Sequence, residues 1–118
     1  MVVEDDDGIR DTLRYAIELD GYPVITAANG RIALELLKSV PLPGLILLDL
    51  MMPEMNGIEF FEILRRDPAL CTIPVVVVTA ISNHAQMIQR TDGVIKKPIN
   101  LDDLTQVVTR WCGSSELA

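Results

Sequence analysis

The sequence predicts a doubly wound α/β domain, a five-stranded parallel sheet covered by helices on both faces. Three observations carry this. Short apolar runs alternate with amphipathic segments along the whole of the chain, with no linker, repeat or low-complexity tract. Leu45-Ile46-Leu47-Leu48 is uniformly apolar, as expected of a central strand buried on both faces, and Ile73-Pro74-Val75-Val76-Val77-Val78 contains the most strongly β-prone run in the chain. The 118 residues, 49% of them hydrophobic, suit one compact domain with a single core.

In order, Met1 to Val3 is a short first strand that ends in acids. Asp7 is placed to cap a helix from about Gly8 to Asp20, with Ile9, Leu13, Ala16 and Ile17 on its inner face and Gly21 at its C-terminal cap. Tyr22 to Ala27 reads as the second strand. Arg31 to Val40 is the second helix, with Ile32, Ala33, Leu36 and Leu37 inward, ended by Pro41 and Pro43. The Leu45 run forms the third strand. Pro53 and Gly57 bracket a loop, and Ile58 to Arg66 is the third helix. Ile73 to Val78 holds the fourth strand, a weaker helix covers about Asn83 to Arg90, and Gly93 to Lys96 is the fifth strand. Asn100, with Asp103, caps a last helix to about Cys112, and the tail frays from about Gly113. Right-handed crossovers leave few strand orders, and 2-1-3-4-5 is the common one for five strands.

Composition narrows the function. A net charge of -7 disfavours direct nucleic-acid binding and adsorption to anionic lipid. Cys71 and Cys112 lack metal-ligand spacing and read as reduced thiols. No apolar run reaches the roughly 18 residues of a membrane span, and Met1-Val2-Val3-Glu4 turns acidic too early for a secretory signal, so the cytoplasm is the expected compartment.

Ligands of such sheets bind beyond the carboxyl ends of the strands. There stand Glu4 and Asp5 after strand 1, Asp49 after strand 3, Thr79 after strand 4, and Lys96-Lys97-Pro98 after strand 5. Two carboxylates 4 Å apart repel by roughly 4 kcal/mol at an effective dielectric of 20. Protons or a cation must relieve this, and Mg²⁺ suits a site with few carboxylates. It would hold a phosphoryl group against an acidic nucleophile, with Lys97 and Thr79 on other phosphoryl oxygens. Taken singly, Glu4 to Asp7 read equally well as helix caps, Thr79 as a strand end and Lys97 as a surface charge; convergence is what lifts them. Met51, Met52 and Met55 lack a nearby soft-metal partner and read as packing, His84 as a surface residue, and Trp111 as packing.

The stretches Val2-Val3-Glu4-Asp5-Asp6, Leu45 to Pro53, Met55-Asn56-Gly57, Ile73 to Ala80 and Lys97-Pro98 together resemble the response-regulator receiver domains of two-component signalling, over nearly the whole chain. The resemblance implies a flavodoxin-like (βα)5 fold and one receiver domain over residues 1–118. It implies phosphorylation of Asp49 by a sensor histidine kinase or histidine phosphotransfer protein, with Mg²⁺ as cofactor and no turnover of a free metabolite. Asp5 would bind Mg²⁺ directly, Glu4 through water, and the backbone carbonyl of Met51 would be a further ligand. Thr79 would bind the phosphoryl group and move on activation. Lys97 would contact phosphoryl oxygens beside a cis peptide to Pro98, and Gly57 would allow the tight turn that opens the third helix. A degenerate receiver, acting as a phosphorylation-independent interaction module, is the alternative.

Three features depart from the family pattern. Val94 and Ile99 stand where aromatics are common, and the interval from Thr79 to Lys97 is about one turn short, which implies a shortened fourth helix. The residues two beyond Asp49 and Thr79, Met51 and Ile81, flank the path of the hydrolytic water in receivers and cannot orient it, which implies slow self-dephosphorylation.

Overall fold

The computed structural model describes residues 1–52, 55–80 and 85–113. Among them, β1 (Val2–Val3), β2 (Thr26–Ala27), β3 (Ile46–Asp49), β4 (Val75–Thr79) and β5 (Gly93–Lys96) alternate with α1 (Asp7–Leu19), α2 (Gly30–Leu37), α3 (Gly57–Arg66), α4 (Ala85–Gln89) and α5 (Leu101–Cys112). The strands form one parallel sheet in the expected order, β2-β1-β3-β4-β5.

Strand residues alternate between the two faces of a sheet, so each uniformly apolar run feeds two cores. Val3, Ile46, Leu48 and Val75 pack with Ala33 and Leu37 of α2 and with Phe60, Phe61 and Leu64 of α3. Val2, Leu47, Val76 and Val78 pack with Leu13 and Ile17 of α1 and with Leu104 and Val108 of α5. Phe60 and Phe61 are fully buried, and each contributes about 1.5–3 kcal/mol of transfer free energy.

The helix ends differ from the sequence reading in small, explicable ways. Asp6, not Asp7, caps α1: its Oδ1 accepts from the Ile9 N–H at 2.9 Å. Asp7 is instead the first helical residue, where its charge favours the positive end of the helix dipole. Gly21 takes φ +92° and closes α1, with Gly21 N donating to Glu18 O at 3.0 Å and Tyr22 N to Ile17 O at 3.4 Å. The second strand is shorter than Tyr22 to Ala27, because β2 pairs only with the two residues of β1. α2 stops at Leu37 rather than Val40, where Lys38 N and Ser39 N tighten onto Glu35 O and Leu36 O. α4 is short, as expected; Asn83, the expected start, lies outside the described residues, as do Pro53, Ile81, His84 and the tail beyond Gly113.

Arg65 anchors the far end of the sheet. Its Nη1 donates to the carbonyls of Cys71 and Ile73, each at 3.0 Å, and its Nη2 to Asp92 Oδ2 at 3.3 Å. The same Asp92 oxygen accepts from Val75 N at the start of β4 at 2.8 Å. Cys71 and Cys112 are free thiols, and Trp111 packs against the α1–α5 core. No helix among the described residues is long and apolar enough to cross a membrane.

Candidate functional site

The register builds the site. Val3 pairs with Leu48, and Asp49 pairs with Val78, so Glu4, Asp49 and Thr79 leave adjacent strands side by side at one edge. Thr79 in turn pairs with Lys96, which places Lys97 just beyond it, and Lys97 N donates to Thr79 O at 3.0 Å. The peptide from Lys97 to Pro98 is cis, as the family resemblance implied.

The side chains converge. Glu4, Asp5 and Asp49 each bring a carboxylate oxygen within 4.8 Å of the others. Lys97 Nζ lies 3.0 Å from Glu4 Oε1 and 3.7 Å from Asp49 Oδ1. Glu4, Asp49 and Thr79 are 2%, 5% and 3% exposed, whereas Asp5 is open to solvent. Asp49 Oδ1 also accepts from Met51 N at 3.2 Å. The Met51 side chain is exposed, while Met52 is in the core and Met55 packs against it.

The electrostatics are those of a site short of positive charge. Burial, and then the neighbouring Glu4 carboxylate, push the Asp49 carboxyl from 3.8 up to about 7, against the pull of the Met51 N–H and of Lys97. Among the described residues, Glu4 Oε1 is buried and makes no directed hydrogen bond, although Lys97 Nζ lies 3.0 Å away. A buried carboxylate oxygen left without a directed donor is costly. Two ligands of one Mg²⁺ are at most about 4.2 Å apart, given bonds of about 2.1 Å. The acid cluster thus meets that requirement with a small side-chain rotation or with one carboxylate acting through water. A hard, oxygen-preferring dication fits these donors; a soft metal does not.

Sequence reasoning named Glu4, Asp5, Asp49, Thr79 and Lys97, and all five stand at this edge. It missed Arg10, whose Nη1 donates to the Glu4 backbone carbonyl at 2.9 Å and whose Nη2 pairs with Asp7. Its three-residue spacing from Asp7 in a helix was the available signal. Gly57 opens α3 and turns back tightly onto the end of β3, its N–H donating to Leu50 O at 3.1 Å; what the missing side chain permits is close approach to the backbone of Asp49 and Leu50 rather than a positive φ. An apolar cavity of about 590 Å³, bordered by Val24, Leu45, Val108 and Trp111, lies at the opposite, amino edge of the sheet, away from these acids.

Comparison with known proteins matches residues 1–109 to the response regulator receiver domain. The chain is similar to the polar-differentiation response regulator DivK of Brucella anthropi, at 33% identity over 98% of this chain and 96% of DivK. It is similar to the alkaline phosphatase synthesis transcriptional regulatory protein SphR of Synechococcus elongatus, at 34% identity over 99% of this chain but 44% of SphR. It spans about half the length of other regulators it matches, such as CrdR of Helicobacter pylori and Rre1 of Synechocystis. In structure it resembles the signal receiver domain of a signal transduction histidine kinase from Syntrophus aciditrophicus, with a TM-score of 0.85 and 32% identity over 93% of this chain and 86% of that one.

Proposed function

The chain belongs to the response regulator receiver family of two-component signalling, and on that premise we propose that Asp49 is its phosphoryl acceptor. The observation that carries this is the gathering of the Glu4, Asp5 and Asp49 oxygens within 4.8 Å, with the Lys97 ammonium alongside. In this reading an Asp49 carboxylate oxygen attacks the phosphorus of a phosphohistidine on a sensor histidine kinase or histidine phosphotransfer protein. The P–N bond breaks, the imidazole leaves, and an aspartyl phosphate remains. Lys97 pairs with one phosphoryl oxygen and the Thr79 hydroxyl donates to another. Mg²⁺, held by Asp5, by Asp49, by the Met51 carbonyl and through water by Glu4, would neutralise the charge of the transferring group.

The same reading makes the whole of residues 1–118 one receiver domain that works in the cytoplasm and alters only its own phosphorylation state. The full acid–Asp–Thr–Lys set favours it over a degenerate receiver, which has no need to bury Glu4 and Asp49 together. The test is incubation with acetyl phosphate, with and without Mg²⁺. The wild-type chain should gain the mass of one phosphoryl group only with Mg²⁺, and Asp49→Asn should gain none. An unchanged wild-type mass, or an equal gain in the variant, would defeat the proposal.

Phosphoryl loss should then be slow. The side chain two residues beyond Asp49 is the Met51 thioether, 55% exposed and at best a weak acceptor. The second flanking residue, Ile81, lies outside the described residues. The phosphorylated protein should keep its group for minutes or longer in Mg²⁺ buffer when followed by intact mass; a half-life of seconds is the contrary result.

A further inference from the structure

Among the described residues no side chain or backbone group holds the Asp5 carboxylate, so the backbone of the turn from Glu4 to Asp7 must aim it. Three contacts shape that turn. Asp6 N donates to Glu4 Oε2 at 3.2 Å, Ile9 N donates to Asp6 Oδ1 at 2.9 Å, and Arg10 Nη1 donates to the Glu4 carbonyl at 2.9 Å. Only the last reaches from the helix back to the peptide that joins Glu4 to Asp5. The Arg10 side chain that makes it is 18% exposed and pairs on its other side with the exposed Asp7 carboxylate. Asp7, Arg10 and the Glu4 carbonyl thus form a clamp across the turn that carries Asp5.

We propose that Arg10 is a positioning residue for divalent-cation binding, acting through the Glu4–Asp5 peptide; the inference rests on the reading of the acid cluster as a Mg²⁺ site. Arg10 has two opposed effects. Its charge repels a cation, so by Coulomb's law alone its removal tightens binding. Its planar fork fixes the peptide, so removal loosens the ligand geometry. Lysine separates the two, because it keeps the charge and loses the fork.

The experiment is calorimetric Mg²⁺ titration of the full chain as wild type, Arg10→Ala, Arg10→Lys and Asp5→Asn, beside acetyl phosphate labelling at rising Mg²⁺. Arg10→Lys should bind Mg²⁺ about tenfold more weakly, at the low end of the loss expected when an outer-shell partner of a metal site is removed, and Arg10→Ala, which also sheds the repelling charge, should lose affinity by a smaller factor. Their labelling should need correspondingly more Mg²⁺ yet reach the wild-type plateau, a split that a general loss of stability does not produce. Unchanged affinity in Arg10→Lys, with unchanged or tighter binding in Arg10→Ala, overturns the proposal. If Asp5→Asn weakens binding while the Arg10 variants do not, only the role of Arg10 fails. If Asp5→Asn leaves affinity intact, or the wild type binds no Mg²⁺, the reading of the site fails with it.

Discussion

Asp49→Asn is expected to stabilise the Mg²⁺-free protein at pH 8 by about 2–4 kcal/mol: the full displacement from 3.8 to about 7 corresponds to a little over 4 kcal/mol at about 1.4 kcal/mol per unit, and solvent screening at the edge of the sheet reduces it. The sign follows from linkage. The Asp49 carboxyl is raised from 3.8 to about 7 in the folded protein, first by burial and then by Glu4. Between those values the folded state binds the proton that the unfolded state has released. The associated stability is complete below about 3.8 and is lost as pH rises through 7. Above that the protein carries an ionised carboxylate that is 5% exposed, beside a second one that is 2% exposed. Asparagine keeps the shape and an oxygen for the Met51 N–H, but has no charge to bury. Urea denaturation in EDTA should show wild type losing stability between pH 4 and 8, a flatter curve for Asp49→Asn, and convergence of the two near pH 4. Added Mg²⁺ should reverse the order at pH 8, because a ligand that binds only the folded state stabilises it. Parallel pH curves in EDTA would falsify the claim that Asp49 is held protonated against its ordinary tendency.

Much of the molecule was legible because two physical rules act without reference to detail. A run such as Leu45-Ile46-Leu47-Leu48 has nowhere to go but the middle of a sheet, and a parallel sheet brings every strand end of one polarity to one edge. The polar residue after each strand, Glu4, Asp49, Thr79 or Lys97, therefore announced its neighbours before any contact was known. What stayed hidden depends on single-residue geometry. Asp5, Asp6 and Asp7 are all chemically able to cap a helix, so composition could not separate Asp6 as the cap from Asp7 as the first helical residue. The clamp by Arg10 depends on a side chain folding back to a carbonyl six residues earlier, which no apolar periodicity records. The lengths of β1 and β2 are set by each other, and an isolated β-prone run such as Tyr22 to Ala27 overstates how much of it finds a partner.

Gly57→Ala should be destabilising and should impair phosphorylation beyond its effect on stability. Helix propensity alone argues the reverse, since alanine in a helix is favoured over glycine by about 1 kcal/mol. Packing decides the outcome. A Cβ at Gly57 would stand 2.3 Å from the carbonyl oxygen of Asp49, 2.7 Å from Leu50 Cα and 3.0 Å from Asp49 C. These are backbone atoms at the end of β3, in residues with almost no exposure, and they cannot swing aside as a side chain would. Gly57 N also donates to Leu50 O at 3.1 Å, so α3 and the strand end are tied where the methyl must fit. Overpacking against such a wall costs about 1–3 kcal/mol or more, and a net loss near 2 kcal/mol in urea denaturation is expected. The relief available is a shift of the Asp49 peptide, which carries the proposed acceptor carboxylate out of line. Labelling by acetyl phosphate, scored on the folded fraction, should therefore slow by roughly tenfold or more, because sub-ångström misplacement of a reacting group is expensive. Gly44→Ala is the control. Its new Cβ meets only Cys112 Sγ, at 3.5 Å, an ordinary contact at an exposed position before β3. That variant should stay within about 1 kcal/mol of wild type and label normally. If the two variants behave alike, the close approach of α3 to β3 does not hold the acceptor in place, and Gly57 is an ordinary helix-start glycine.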